Sequence, residues 1–149
     1  MILGVVGHAA EKFTPLTEVQ ARMAIYDACK HHGATGVCSG RSPMGGVDIW
    51  AEDTAKQLGI FDETLIFAPT WNVWSGPGGF KARNMLIAEW SDHVLVVVVK
   101  KLPDGFAGMK FSACYHCRDK RSSHVKSGGC WTAIQAQKLG KTASWIIIP

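Results

Sequence analysis

Gly79-Phe80-Lys81-Ala82-Arg83-Asn84, followed at Ser91-Asp92 by His93-Val94-Leu95-Val96-Val97-Val98-Val99, joins a glycine turn, two cations at a helix start and an uninterrupted apolar run. The run from Val94 to Val99 has the length of a buried strand and falls far short of a membrane span. A strand covered on both faces calls for parallel neighbours, and parallel neighbours need crossover helices. The stretch therefore predicts an α/β protein. In such a protein the first turn of a helix is where a phosphate is held, because its N–H groups and the helix dipole favour an anion. Lys81 and Arg83 oppose that dipole unless an anion offsets them, and the alternative is an ordinary solvated helix face.

Outward from this stretch, apolar runs alternate with amphipathic stretches of helix length. Met1 to Val6, Thr35 to Ser39, Thr64 to Ala68, His93 to Val99 and Thr142 to Ile148 read as strands. Thr17 to His32, Asp48 to Leu58, Lys81 to Trp90 and Thr132 to Leu139 read as helices, with Gly59 and Gly140 as C-terminal stops. The alternation predicts a Rossmann-like three-layer sandwich with a mainly parallel five-stranded sheet. Ligands of such sheets bind at the carboxyl ends of the strands. The loops there are Gly7-His8-Ala9, Ser39 to Gly46, Pro69 to Gly79, and Lys100 to Gly129.

At 149 residues with 47% hydrophobic content, the chain fits one domain, 1–149, with enough apolar surface for a core. Disordered and fibrous classes drop out. The N-terminus has no basic region and no small-residue cleavage site, so it reads as a first strand and a cytoplasmic location is expected. A net charge of +4 with scattered basic residues suits an anionic small ligand as well as a nucleic acid.

The glycine-rich loops carry the candidate chemistry. Gly40, Gly45 and Gly46 let backbone approach a ligand beside Ser39, and Asp48 either caps the following helix or hydrogen-bonds a ribose hydroxyl. Ser127-Gly128-Gly129, with Thr132 beyond, opens the last helix in the same way. Trp71 and Trp74 offer indoles that either stack on a base or pack in the core.

The last loop is about 30 residues long, and a compact domain rarely carries such a loop without something to hold it. Cys114, Cys117, His124 and Cys130 form a C-x2-C-x6-H-x5-C series within it. Two thiolates from one C-x2-C turn, a histidine and a third cysteine make a tetrahedral set typical of structural zinc. A zinc loop at about 103–130 is therefore expected, closed by four ligands and so structural rather than catalytic. The alternatives are a reduced pair of buried thiols and, third, a redox pair, for which a thioredoxin-like context is lacking. Cys29 and Cys38 fall within a helix and a strand and read as core.

Four segments together resemble the SLOG superfamily, which includes Lonely Guy phosphoribohydrolases and DNA-processing protein A. They are Val37 to Gly40 with Gly45 to Ala51, then Trp71, then Arg83-Asn84 with Ser91 to Val97, and lastly Ser127 to Gly129 with Thr132. The resemblance implies that Gly40, Gly45, Gly46 and Asp48 line a pocket, that Arg83 and Asn84 contact the ligand, and that Ser127 to Thr132 hold its phosphate. Relatives associate through sheet-flanking helices, so it also implies a homo-oligomer. Where Lonely Guy enzymes carry P-G-G-x-G-T-x-x-E, this chain reads Ser127 to Gln135, and an amide does not titrate.

The leading expectation is thus a nucleotide-binding module, sensing or sequestering a phosphorylated molecule through Gly7, His8, Ser39, Gly79, Lys81 and the residues above. A second is a hydrolase or transferase acting on a nucleotide N-glycosidic bond, with Asp48, Glu52 or Glu89 supplying the carboxylate. A third is single-stranded nucleic-acid binding by the basic stretch Arg118 to Lys126 with Tyr115.

Overall fold

The computed structural model describes residues 1–111, 114–117 and 124–149. Along them lie four strands, β1 (Ile2–Gly7), β2 (Gly36–Cys38), β3 (His93–Val99) and β4 (Thr142–Ile148), and helices α1 (Pro15–His31), α2 (Val47–Gln57), α3 (Phe80–Trp90) and α4 (Gly128–Lys138), in the order β1-α1-β2-α2-α3-β3-α4-β4. The sheet is parallel throughout, in the order β2-β1-β3-β4, with Leu3 of β1 in register with Val37 on one side and His93 on the other.

All seven residues of β3 are buried, and its alternation decides where the helices lie. Leu95, Val97 and Val99 point into one apolar cluster with Leu3, Val5, Ile25 of α1 and Trp50 of α2. Val94, Val96 and Val98 point into a second with Ile87 of α3 and Cys130, Ala133 and Ala136 of α4. The sheet is thus sandwiched between two helical layers, and each buried valine contributes about 1.5–3 kcal/mol of transfer free energy. Among the described residues no helix is long and apolar enough to cross a membrane.

The sheet has four strands among the described residues, not the five expected. The stretch expected as a strand at Thr64 to Ala68 starts in a 3-10 turn, Glu63–Leu65, because the Asp62 carboxylate accepts the Thr64 N–H at 2.9 Å. Only Ile66 then reaches β2's end, in a single bridge to Ser39, and Pro69 removes the donor that would continue a ladder.

Helix starts also differ from the periodic pattern. α1 begins at Pro15 rather than Thr17, because Thr14 and Thr17 form a reciprocal capping box with proline in the first turn. α4 begins at Gly128 rather than Thr132, with Ser127 as its cap accepting the Gly129 N–H at 3.1 Å. Glycines are poor helix formers, so the apolar periodicity does not reveal that first turn.

Candidate ligand cleft and metal centre

At the carboxyl edge of the sheet, the end of β1 and the starts of α2, α3 and α4 enclose a cleft of about 190 Å³. Gly7 and His8 form its floor. Asp48 comes from α2 and Gly45 from the turn before it, Phe80, Arg83 and Asn84 from α3, and Gly128 and Gly129 from α4 with its cap Ser127. Gly46, at φ +88°, turns the chain into α2 in a conformation that glycine alone adopts readily, and the Val47 N–H ties that turn to the His8 carbonyl at 3.1 Å.

Arg83 and Asp48 form a buried ion pair across the cleft, Nη1 to Oδ2 at 3.2 Å, with both side chains more than nine-tenths buried. The same guanidinium nitrogen donates to the Gly40 carbonyl, and the head lies 5.1 Å from the Phe80 ring centroid. Asp48 also accepts the Ser42 N–H at 3.2 Å. Burial pushes the Asp48 carboxyl up, while the adjacent guanidinium opposes that rise. The Arg83 Nε remains a buried donor with no hydrogen-bond partner, a costly state in a protein interior.

Gly40 is where a side chain would collide with this arrangement, since a Cβ there would overlap the Arg83 head. Gly40→Ala is expected to displace Arg83 and lower stability by about 1–3 kcal/mol. Differential scanning calorimetry should then show melting several degrees below wild type, with an unchanged far-ultraviolet spectrum.

His8 is not free to hold a ligand through its ring nitrogens. Nε2 donates to the carbonyls of Val125 at 3.1 Å and Lys126 at 3.0 Å, and Nδ1 accepts the Val99 N–H at 3.1 Å. These partners fix the neutral Nε2–H tautomer. Burial, and then the nearby Lys12 cation, lower its pKa to about 3. A histidine kept neutral in the fold stabilises it fully above the unfolded value of 6.5, and that contribution is lost as pH falls from 6.5 toward 3. Below pH 6.5 wild type should lose up to about 1.4 kcal/mol per pH unit more than a His8→Asn variant. Chemical denaturation at pH 7, 6 and 5 measures the difference, and equal slopes would show that His8 is protonated in the fold.

Two lysines complete the cleft's electrostatics. Lys12 and Lys126 both line it, and burial followed by repulsion from Lys126 lowers the Lys12 pKa. Among the described residues, three cations thus face the cleft, and the one carboxylate that lines it, Asp48, is already paired.

Beside the cleft, one donor atom from each of Cys114, Cys117, His124 and Cys130 lies within 4.8 Å of the others. The His124 Nδ1 hydrogen-bonds the Val125 carbonyl at 2.8 Å, so this nitrogen carries the proton and Nε2 presents a lone pair. That Nε2 lies 3.3 Å from the Cys117 sulfur and 3.8 Å from the Cys130 sulfur. The Cys130 thiol donates to the Cys114 sulfur, which lowers the pKa of Cys114 and raises that of Cys130. Three sulfurs and one imidazole, mostly buried, with a ready thiolate and an outer hydrogen bond orienting the ring, are compatible with a metal ion. Cys29 and Cys38 are core residues, their thiols pushed up by burial to about 11 and about 12.

Of the other residues singled out by sequence, several support the cleft without lining it. The Ser39 hydroxyl donates to the Asp48 carbonyl at 3.0 Å, Gly79 caps α3, and Thr132 is fully buried with an unpartnered hydroxyl. Trp71 is 63% exposed on its loop, and Lys81 turns outward to lie 6.0 Å from the Trp131 ring. Among the carboxylates, Glu52 is drawn away to Arg41 at 2.8 Å and Lys56 at 3.3 Å, and Glu89 is exposed near the far end of α3. The basic stretch from Arg118 lies outside the described residues up to Ser123, and its described cation, Lys126, faces the cleft. Sequence reading missed Lys12 and Phe80. Lys126 was legible only as the end of the basic stretch read as a nucleic-acid surface, not as part of the cleft.

The chain matches no protein-family model, no curated protein and no solved structure.

Proposed function

We propose that the chain binds a nucleotide or nucleotide-derived phosphorylated molecule at the carboxyl edge of its sheet, sensing or sequestering it, on a Rossmann-like fold of the SLOG type. The observation that carries this reading is the charge of the cleft. Lys12, Arg83 and Lys126 converge where three helices begin, and Asp48 offsets only one of them. A phosphate would accept from the first-turn N–H groups of α4 and relieve the repulsion between the lysines. Trp74, which lines the cleft and stands edge-on to Trp131 at 5.6 Å, is placed to cover a base. The adjacent Cys3His set is of the type that selects zinc over harder divalent ions, and its four donors leave no position for a reacting water.

Thermal-shift measurements with nucleoside monophosphates, nucleoside diphosphates, inorganic phosphate and the parent nucleosides test the reading. Phosphorylated compounds should stabilise the protein, by about 2.7 kcal/mol at a hundredfold excess over the dissociation constant. Nucleosides should stabilise it less, and Lys126→Ala should erase most of the shift. If no phosphorylated compound moves the transition, the reading is wrong.

The alternative is cleavage of a nucleotide N-glycosidic bond. It is favoured only by Asp48, the one candidate carboxylate in the cleft, and its commitment to Arg83 and the Ser42 N–H argues against it. Release of free base from nucleoside monophosphates, abolished by Asp48→Asn, would put hydrolysis in place of sequestration.

A further inference from the structure

The stretch 124–130 carries metal donors at both ends and cleft residues between them. His124 and Cys130 are the donors, and Lys126, Ser127, Gly128 and Gly129 are the cleft wall. Each end is fixed by its own contacts. Cys130 belongs to the first turn of α4, its N–H bonded to the Ser127 carbonyl at 3.2 Å, so the sulfur and the anion-facing N–H groups share one turn of backbone. A second metal donor, the Cys114 sulfur, contacts that same Ser127 carbonyl at 3.9 Å.

At the other end, the Val125 carbonyl accepts from both the His124 ring and the His8 ring. His8 also accepts from Val99 and reaches the Lys126 carbonyl, and the Val125 N–H donates to the Val99 carbonyl at 3.0 Å. The backbone under Lys126 is therefore held between the metal-binding ring and the ends of β1 and β3. Packing of Ala133 and Ala136 on the sheet anchors the body of α4, and the Cys114, Cys117 and Cys130 sulfurs tie the chain entering the helix to its first turn. No covalent link or regular element replaces them in the described parts of 100–127.

We infer that metal binding and phosphate binding are positively coupled through segment 124–130, so that the cleft binds its anion tightly only when the Cys114, Cys117, His124 and Cys130 site is filled. This rests on the phosphate-binding reading of the cleft. Metal occupancy fixes Lys126 and the first turn of α4 in the competent arrangement, and without it that arrangement is one of several the wall samples. The affinity for anion then falls by the competent fraction. Reciprocity requires that anion raise metal affinity by the same factor. Coupling of this kind is worth roughly 5–150-fold. His8 acts here as a positioning residue, holding the Val125 and Lys126 carbonyls.

Cobalt(II)-substituted protein gives the test, because the thiolate-to-cobalt absorption reports the Cys130 geometry in protein that stays folded. Titration with adenosine monophosphate and, separately, with inorganic phosphate should change the intensity of that absorption. A chelator competition should show metal held about tenfold more tightly in saturating phosphate compound. Lys126→Ala should keep the starting spectrum and lose both responses. Cys117→Ser, which retains three donors, should bind the monophosphate only in proportion to the metal added.

If the monophosphate binds while spectrum and metal affinity stay fixed, the coupling is refuted and the cleft reading stands. Failure of every phosphate compound to bind metal-loaded protein refutes both.

Discussion

Stripping the metal proposed for the Cys114, Cys117, His124 and Cys130 set is expected to lower the melting temperature by more than 10 °C, the largest effect of any single perturbation of this chain. The segment from Lys100 to Ser127 has no regular element among its described residues, yet it delivers buried Cys114, His124 and Val125 to the edge of both apolar layers. Ordering backbone costs about 1–2 kcal/mol per residue, and a loop without helix or sheet bonds recovers little of that. A four-ligand ion offsets the cost, with apparent binding free energies of about 10–16 kcal/mol in small zinc modules. Loss of even half of that, at 2–4 °C per kcal/mol for a domain of this size, exceeds 10 °C. Elemental analysis should find one metal per chain. A strong chelator and Cys130→Ala should lower the transition alike, and chelated protein should be cut by trypsin within 100–127 before anywhere else. Unchanged melting after complete chelation would remove the metal from the account.

Arg83→Ala ranks second, with an expected loss of about 3–5 kcal/mol, or roughly 10 °C. The cost comes less from losing the ion pair than from what remains, a carboxylate at Asp48 with less than one-tenth of its side chain exposed and one backbone donor, Ser42. Burial already pushes Asp48 toward its protonated form, and without the guanidinium only the Ser42 N–H opposes that. Stability of the variant should therefore rise as pH falls from 7 to 5, relative to wild type, because protonation relieves the stranded charge. Replacing both partners, Arg83→Met with Asp48→Leu, should recover most of the loss, since an apolar pair has no charge to strand. Denaturant titration of the two variants side by side measures this. A double variant as unstable as Arg83→Ala would show that shape, not charge, matters at this site. Neither variant should respond to phosphate compounds.

How far the sequence discloses this molecule depends on whether a feature is local. The run from Val94 to Val99 announces a doubly covered strand because burial on both faces leaves no position for a polar side chain. The C-x2-C spacing brings Cys114 and Cys117 together by itself, and His124 and Cys130 join them as the spacing expects. Local competition defeats the pattern elsewhere. Thr64 to Ala68 has strand composition, but Asp62 captures its first N–H and bends it into a turn. Glu52 stands one helical turn from Asp48, yet Arg41 and Lys56 draw it away from the cleft. Lys12 and His8 depend on tertiary placement alone. Nothing near Lys12 in sequence foretells Lys126 as its neighbour, and the His8 ring meets partners at Val99, Val125 and Lys126 that only the folded sheet brings near.

The strand order carries a kinetic consequence. β1 is central, and its partner β3 lies about 90 residues downstream, with Leu3 opposite His93. β4, the other neighbour of β3, comes from the last residues of the chain. Folding must therefore close long loops before the central pairs form, which places this domain among slow folders of high contact order. During synthesis Val94 to Val99 emerges before α4 and β4 exist to cover it. It is a six-residue segment without charge or proline, of the composition that self-associates when left exposed.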